Sequence, residues 1–136
     1  MTIAVDFDGT IVTHAYPKIG KPVPFAIDTL RRLQQEGQHH IILWTVREGG
    51  LLREAVDYCR QRGLEFYAVN ANYPEEDTSR PSSRKVVADL YIDDRNLGGI
   101  PDWGVIYQMI VSGNTASAFP YEKADGKSFF SRLFGK

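Results

Sequence analysis

The sequence has one cysteine, no apolar run long enough to span a membrane, and almost no excess of charge. Cys59 has no second cysteine for an internal disulfide and lies on the apolar stripe of a helical pattern, which predicts a buried structural thiol. With 16 Lys and Arg against 17 Asp and Glu, the net charge of -1 does not indicate nucleic-acid binding. The first residues lack the pattern of a signal peptide, so a cytoplasmic protein without a membrane span is the expectation.

The length of 136 residues suits one domain with one core. A hydrophobic content of 43% and a charged content of 24% are those of ordinary globular proteins, so disorder is not indicated. We predict a core domain over residues 1–114 and a tail over residues 115–136. The tail carries SFFSRLF at residues 128–134 and could dock on the body as a helix, mediate a dimer or touch a membrane; docking is the favoured interpretation, and a homo-oligomer stays open.

Short apolar runs alternate with helical patterns along the chain. The runs are rich in β-branched or aromatic residues, as buried parallel strands are, and cover residues 3–5, 40–44, 66–69 and 90–92. Helical periodicity covers residues 24–37 and 50–63, and residues 102–111 predict a last helix or an edge strand. Alternation of this kind predicts an α/β domain with a parallel sheet and right-handed crossovers.

Polar side chains stand where the predicted strands end, and this edge is where open α/β sheets bind their ligands. Asp6 and Asp8 follow the first run and point to one side of an extended chain. Two like charges so close repel each other unless a cation or a shared proton offsets the cost, and magnesium is a suitable cation because it prefers carboxylate, carbonyl and water oxygens. Gly9 permits a sharp turn, and Thr10 can hold that turn by hydrogen bonding.

Later strand ends add complementary groups. Thr45 ends the second run, Asp93 and Asp94 end the last one, and Lys85 precedes it. Together these groups predict a phosphate site with acids for a metal, a hydroxyl and an ammonium for phosphoryl oxygens, and one carboxylate as nucleophile.

In their order and positions, DFDGT at residues 6–10, Thr45 in LWTVR, Lys85 and the Asp93-Asp94 pair resemble the haloacid dehalogenase superfamily of phosphohydrolases. The resemblance covers about residues 1–95. It implies a three-layer Rossmann-like core with a central, mainly parallel β-sheet flanked by helices. It also implies a magnesium cofactor and an aspartyl-phosphate intermediate, and therefore a magnesium-dependent phosphomonoester hydrolase.

The resemblance also implies a role for each matched residue. Asp6 is expected to be the nucleophile and a metal ligand. Asp8 is expected to be the general acid and then the base, with its backbone carbonyl on the metal. Thr45 would hold a phosphoryl oxygen, and Lys85 would neutralise charge and restrain Asp6. The predicted metal ligands that complete the set are Asp93 and, directly or through water, Asp94.

Access to this site is predicted to be open. A segment that we call the flap, residues 11–24, and a second segment, residues 70–85, are too short to hold a folded cap. In this respect the chain resembles capless members of the superfamily, which implies a larger substrate or a lid from a neighbouring subunit. Substrate binding is predicted for Thr45, Lys85, Arg47 and Asn70, and the further candidates for the leaving group are Asn72, Arg80 and Arg84. The class of phosphorylated substrate is left open.

Three other interpretations compete with a phosphatase. A receiver-type module would carry an acceptor Asp after the third strand, where AVNANYP has none. A calcium loop would follow a helix and end in a bidentate Glu, but Pro17 stands at that position. A catalytically silent phosphatase-like sensor of a phosphorylated ligand has every group it needs and stays open.

Overall fold

The structure, a computed structural model, describes residues 1–81 and 83–114 of the chain. The predicted tail, residues 115–136, lies outside the described residues, so its docking stays a prediction. The α/β architecture predicted for the preceding core is confirmed.

Four parallel strands form one sheet in the order β3-β2-β1-β4. Their bounds are β1 Thr2–Val5, β2 His40–Leu43, β3 Ala68–Val69 and β4 Leu90–Ile92. Val5, the last residue of β1, pairs with both Leu43 and Ile92. Three strands therefore end level with one another, and the residues that follow them meet at one edge.

Three helices accompany the sheet: α1 Ala26–Gly37, α2 Gly49–Gln61 and α3 Trp103–Val111. The last segment is thus a helix and not an edge strand, and its N-terminus is capped by the Asp102 carboxylate, which accepts from the Val105 N–H at 3.1 Å. Cys59 is fully buried on α2, as predicted, and burial raises the pKa of its thiol to about 12. Among these described helices, none is long and apolar enough to cross a membrane.

The two faces of the sheet are covered differently. Ile3 and Val5 pack in one core cluster with buried residues of all three helices. Ala4 and Ile42 face the other way and pack with Val86 of the connector, the segment 70–89 between β3 and β4. In the described part of the chain, the helices form one outer layer and the sheet forms the middle layer. The third layer, on the other face of the sheet, is the connector and not a helix. A right-handed return from β3 to β4 must cross that face, and the connector lacks a helical pattern.

Trp103 links α3 to the turn that follows β1. Its side chain is 1% exposed, and its indole Nε1 donates a buried hydrogen bond of 3.1 Å to the backbone carbonyl of Thr10. α1 also contacts α3, so this corner of the core joins the first helix, the last helix and the turn after the first strand. The turn after β1 is held from the helical side of the sheet.

Replacement of Trp103 by Phe should lower the free energy of unfolding by about 1–3 kcal/mol, because the buried Thr10 carbonyl loses its donor. Urea unfolding followed by circular dichroism measures the change. Val105→Ala is the matched control, since Val105 lies on the same helix with 45% exposure; its effect should stay within about 0.5 kcal/mol. Equal losses in the two variants would contradict a specific role for the indole.

Candidate active site

The turn after β1 is built on one carbonyl group. The Phe7 carbonyl accepts from the backbone N–H groups of Thr10, Ile11 and Val12 at 3.2, 2.9 and 3.2 Å. Gly9 donates to the Val12 carbonyl at 2.7 Å and has a φ of +88°, a conformation that favours glycine. This tight turn directs the chain away from the sheet edge immediately after the two acids.

The space around position 9 also favours glycine, because any larger residue would displace neighbouring side chains. A Cβ atom there would clash with the imidazole of His14 and the carboxylate of Asp94. The close approach brings the flap and the loop after β4 against the first turn. His14 Nε2 lies 2.8 Å from Asp94 Oδ2, a contact that joins residues 80 positions apart.

Asp6, Asp93 and Asp94 form an acidic cluster at this edge. One carboxylate oxygen from each lies within 4.8 Å of the other two. The register of β1 with β4 explains the arrangement, because the pairing of Val5 with Ile92 aligns the residues that follow, and the Asp6 N–H donates to the Ile92 carbonyl at 3.0 Å. As predicted, Asp6 of the first acidic stretch lies close to Asp93 and Asp94 of the last one.

The buried hydroxyl of Thr10 connects two members of the acidic cluster. Thr10 Oγ1 lies 3.3 Å from Asp6 Oδ2 and 3.2 Å from Asp94 Oδ1, and it accepts from the Asp94 N–H at 3.1 Å. A single hydroxyl proton is shared between these two carboxylates. The sequence indicated only a turn role for Thr10, since its partner Asp94 is 84 residues away.

The cluster is electrostatically strained. Burial, and then the charge of Asp93, raise the pKa of Asp6 to about 7. Burial also acts to raise the pKa of Asp94, but hydrogen bonds from His14 and Thr10 outweigh it, so the net shift is downward. A nearby cation would therefore favour the ionised form of Asp6 at neutral pH.

The donor set fits a hard divalent cation. All three ligand atoms are carboxylate oxygens, and their spacing is compatible with a shared ion bound at about 2.0–2.1 Å after small side-chain adjustments. A cation would also offset the burial and the charge of Asp93 that raise the pKa of Asp6. These residues could hold magnesium, and the identity of the ion stays a prediction.

Asp8 lies outside the acidic cluster and forms an ion pair with Arg47. Arg47 Nε and Nη2 donate to the two carboxylate oxygens of Asp8, each at 2.7 Å. Arg47 is 0% exposed and also donates to three backbone carbonyls, those of Pro17, Lys18 and Leu51. All five guanidinium N–H groups thus have acceptors inside the protein.

This arrangement differs from the predicted substrate-binding role of Arg47. Its guanidinium points into the protein, between the rings of Phe7 and Tyr16 at 5.1 and 5.3 Å from their centroids. No N–H group is left to meet a substrate in this arrangement, so the residue holds Asp8 instead. The carboxylate of Asp8 is not part of the acidic cluster, and binding of a metal by its backbone carbonyl stays a prediction.

Thr45 and Asn70 lie side by side at the ends of β2 and β3. Asn70 Oδ1 accepts from the Thr45 N–H at 2.8 Å, and Thr45 Oγ1 accepts from the Arg47 N–H at 3.2 Å. The Asn70 side chain therefore shapes the loop after β2. Both residues line a polar cavity of about 760 Å³, together with Arg80 and Arg84 of the connector.

Lys85 lies at the acidic edge, as predicted. It lines a cavity of about 270 Å³ with Asp6, Asp93 and Trp44, and its Nζ lies 4.8 Å from the centroid of the Tyr91 ring. Burial of the neighbouring Val86 against the second face of the sheet brings Lys85 to this position. Trp44 lines both cavities, so the acidic edge and the polar cavity adjoin.

Comparison with known proteins gives one informative match. No protein-family profile and no curated protein matches the chain. A solved structure, that of a conserved protein coded by a locus from Bacteroides thetaiotaomicron, is 63% identical in sequence with a TM-score of 0.79. The match covers 85% of this chain and 93% of the other. The chain therefore belongs to the same family as this conserved protein of Bacteroides thetaiotaomicron.

Proposed function

We propose that the protein is a magnesium-dependent phosphomonoester hydrolase that acts through an aspartyl phosphate on Asp6, as the resemblance to the haloacid dehalogenase superfamily implies. The observation that carries the proposal is the acidic cluster, whose three carboxylates meet in the neighbourhood of Lys85. Carboxylates for a cation, an ammonium for phosphoryl oxygens and a nucleophile are the groups that this chemistry requires.

In the first step an oxygen of the Asp6 carboxylate attacks phosphorus. The bond between phosphorus and the ester oxygen breaks, and a proton held by Asp8 passes to the leaving oxygen, so the products are an alcohol and the aspartyl phosphate. Proton transfer by a positioned carboxylic acid is worth about 10²–10⁴-fold in rate. Lys85 neutralises charge on the phosphoryl oxygens, and Thr45 donates a hydrogen bond to one of them.

In the second step water attacks the phosphorus of the aspartyl phosphate. Asp8 takes a proton from this water, the bond between phosphorus and the Asp6 oxygen breaks, and inorganic phosphate leaves. The Asp6 carboxylate is regenerated. Magnesium, when bound to the acidic cluster, supplies positive charge that keeps Asp6 ionised and offsets the charge of the phosphoryl group.

The polar cavity is the proposed place for the leaving group. It adjoins the acidic edge through Trp44, and its lining offers amides, hydroxyls and the guanidinium groups of Arg80 and Arg84. Such a surface suits a hydrophilic alcohol and not an apolar one.

A sensor without turnover is the second candidate function. One observation favours it: both carboxylate oxygens of Asp8 accept from Arg47, so a proton carried by Asp8 would compete with the guanidinium for the same oxygens. Such a protein would bind a phosphorylated ligand at the same edge and release no phosphate. Turnover is the property that separates the two functions.

Asp6→Asn should abolish magnesium-dependent hydrolysis of a generic aryl phosphate, because an amide cannot form the aspartyl phosphate. The wild-type chain should release phosphate with magnesium and lose this activity in EDTA. Steady-state phosphate release measures both effects.

Asp28→Asn is the control for that experiment, since Asp28 is an exposed acid on α1. It should keep wild-type activity. Equal activity in wild type and Asp6→Asn would contradict the proposed mechanism. A wild-type chain that binds phosphate analogues but never releases phosphate would support the sensor.

The raised pKa of Asp6 predicts a pH-dependent stability. Folded Asp6 keeps a proton that the unfolded chain releases, since its pKa is about 7 in place of 3.8. The free energy of unfolding of the metal-free chain therefore loses a contribution as pH rises from about 4 to about 7. Asp6→Asn removes this titration. In EDTA, the Tm of the variant minus that of wild type should therefore increase as the pH rises from 4.5 to 8. Thermal unfolding of the two chains and of Asp28→Asn measures the difference; a gain that does not grow with pH would contradict the shift.

A further inference from the structure

We infer that Arg47 is a positioning residue that couples the flap to the acid–base carboxylate of Asp8. The inference rests on the proposed function for the role of Asp8, and on geometry alone for the coupling. Arg47 belongs to the loop between β2 and α2, and its side chain joins two parts of the chain that follow β1.

The first contact is with Asp8. The two parallel hydrogen bonds of 2.7 Å involve both carboxylate oxygens and constrain their plane as well as their position. Any rotation of the carboxylate breaks at least one of them. Asp8 is 12% exposed at its side chain, so water offers it only a limited alternative.

The second contact is with the tip of the flap. Arg47 Nη1 donates to the Pro17 carbonyl at 3.2 Å, and Nη2 donates to the Lys18 carbonyl at 3.0 Å. The base of the flap is closed separately, because the Thr13 N–H donates to the Lys21 carbonyl at 2.8 Å and the Lys21 N–H to Thr13 Oγ1 at 2.9 Å. Arg47 therefore closes the flap at its tip, in addition to the bonds at its base, so the base bonds should open more often when the contacts at the tip are lost.

Burial makes the two contacts interdependent. A fully buried guanidinium is costly unless its charge is paired and its N–H groups have acceptors. The Arg47 side chain meets both conditions only when Asp8 and the flap are in place together. Movement of the flap tip removes two acceptors and loosens the group that orients Asp8. Opening of the flap and release of Asp8 are consequently linked.

A purely structural ion pair would stabilise the fold without a preference among reaction steps. A positioning residue for the acid–base carboxylate predicts a dependence on the leaving group. Alkoxides need a proton from Asp8 in order to leave, whereas a dinitrophenolate does not. Loss of the two parallel hydrogen bonds from Arg47 to Asp8 should therefore slow release of an alcohol and spare release of a dinitrophenolate.

Arg47→Lys tests this prediction, since lysine keeps the charge and loses the planar fork. In single-turnover reactions with magnesium, the release of an alkyl alcohol should slow by about 10–100-fold, within the range of general acid catalysis. Release of dinitrophenolate should change little, while hydrolysis of the resulting phosphoenzyme slows. Arg60→Lys is the matched control, because Arg60 is an exposed residue of α2 that pairs with Asp57 and Glu65.

Hydrogen exchange of the flap amides gives a readout that does not need activity. The amides of Thr13, Lys21 and Val23, which close the flap base, should exchange several-fold faster in Arg47→Lys and in Asp8→Asn than in wild type or Arg60→Lys. In the double variant of Arg47 and Asp8, exchange should be no faster than in the single variants, because either change breaks the same link.

The outcomes separate the coupling from the proposed function. Equal slowing for both leaving groups, or flap exchange that stays at the wild-type rate, would overturn the positioning role. If the wild-type chain has no phosphatase activity, the proposed function fails and the exchange data alone decide the coupling. If Arg47→Lys does not fold, the near-isosteric Asp8→Asn decides it: faster flap exchange supports the coupling, and unchanged exchange overturns it.

Discussion

The electrostatic repulsion among three carboxylates at one sheet edge is the constraint on which the site depends. Asp6, Asp93 and Asp94 lie close enough together to bind one ion, because β1 and β4 pair in parallel and end level with each other. Burial is the largest cause of the raised pKa of Asp6, because it disfavours the charged carboxylate, and the negative charge of Asp93 adds to the shift. The hydroxyl of Thr10, the imidazole of His14 and the ammonium of Lys85 are gathered around the cluster, where each can compensate part of this charge.

The two acids of the DFDGT motif have different environments. Asp6 belongs to the crowded cluster, where a proton or a cation must offset its neighbours. Asp8 instead meets a buried guanidinium that neutralises it directly. Two carboxylates separated by one residue are thereby suited to different tasks, since one is exposed to a prospective cation and the other is held apart by an internal one.

The layered architecture supports this division. The helices pack on one face of the sheet, and through Trp103 they hold the turn that carries Thr10. The connector packs on the other face, and its buried Val86 brings Lys85 to the acidic edge. The same connector forms a wall of the polar cavity. The described residues of the connector thus have two tasks: they cover an apolar face of the sheet and line a cavity.

The sequence by itself determined the strands, the first two helices and the meeting of Asp6 with Asp93 and Asp94, because periodicity is a local property and parallel strands must end at a common edge. It left residues 102–111 open between a helix and an edge strand, and the tertiary structure decided for the helix. Only the tertiary structure decided where the longer side chains point. Arg47 follows a strand end, as a substrate-binding residue would, yet it turns inward because Asp8 and the flap carbonyls offer acceptors that are distant in sequence. The bond from Thr10 to Asp94 and the loop that forms the third layer depend in the same way on contacts between remote segments, which no local pattern records.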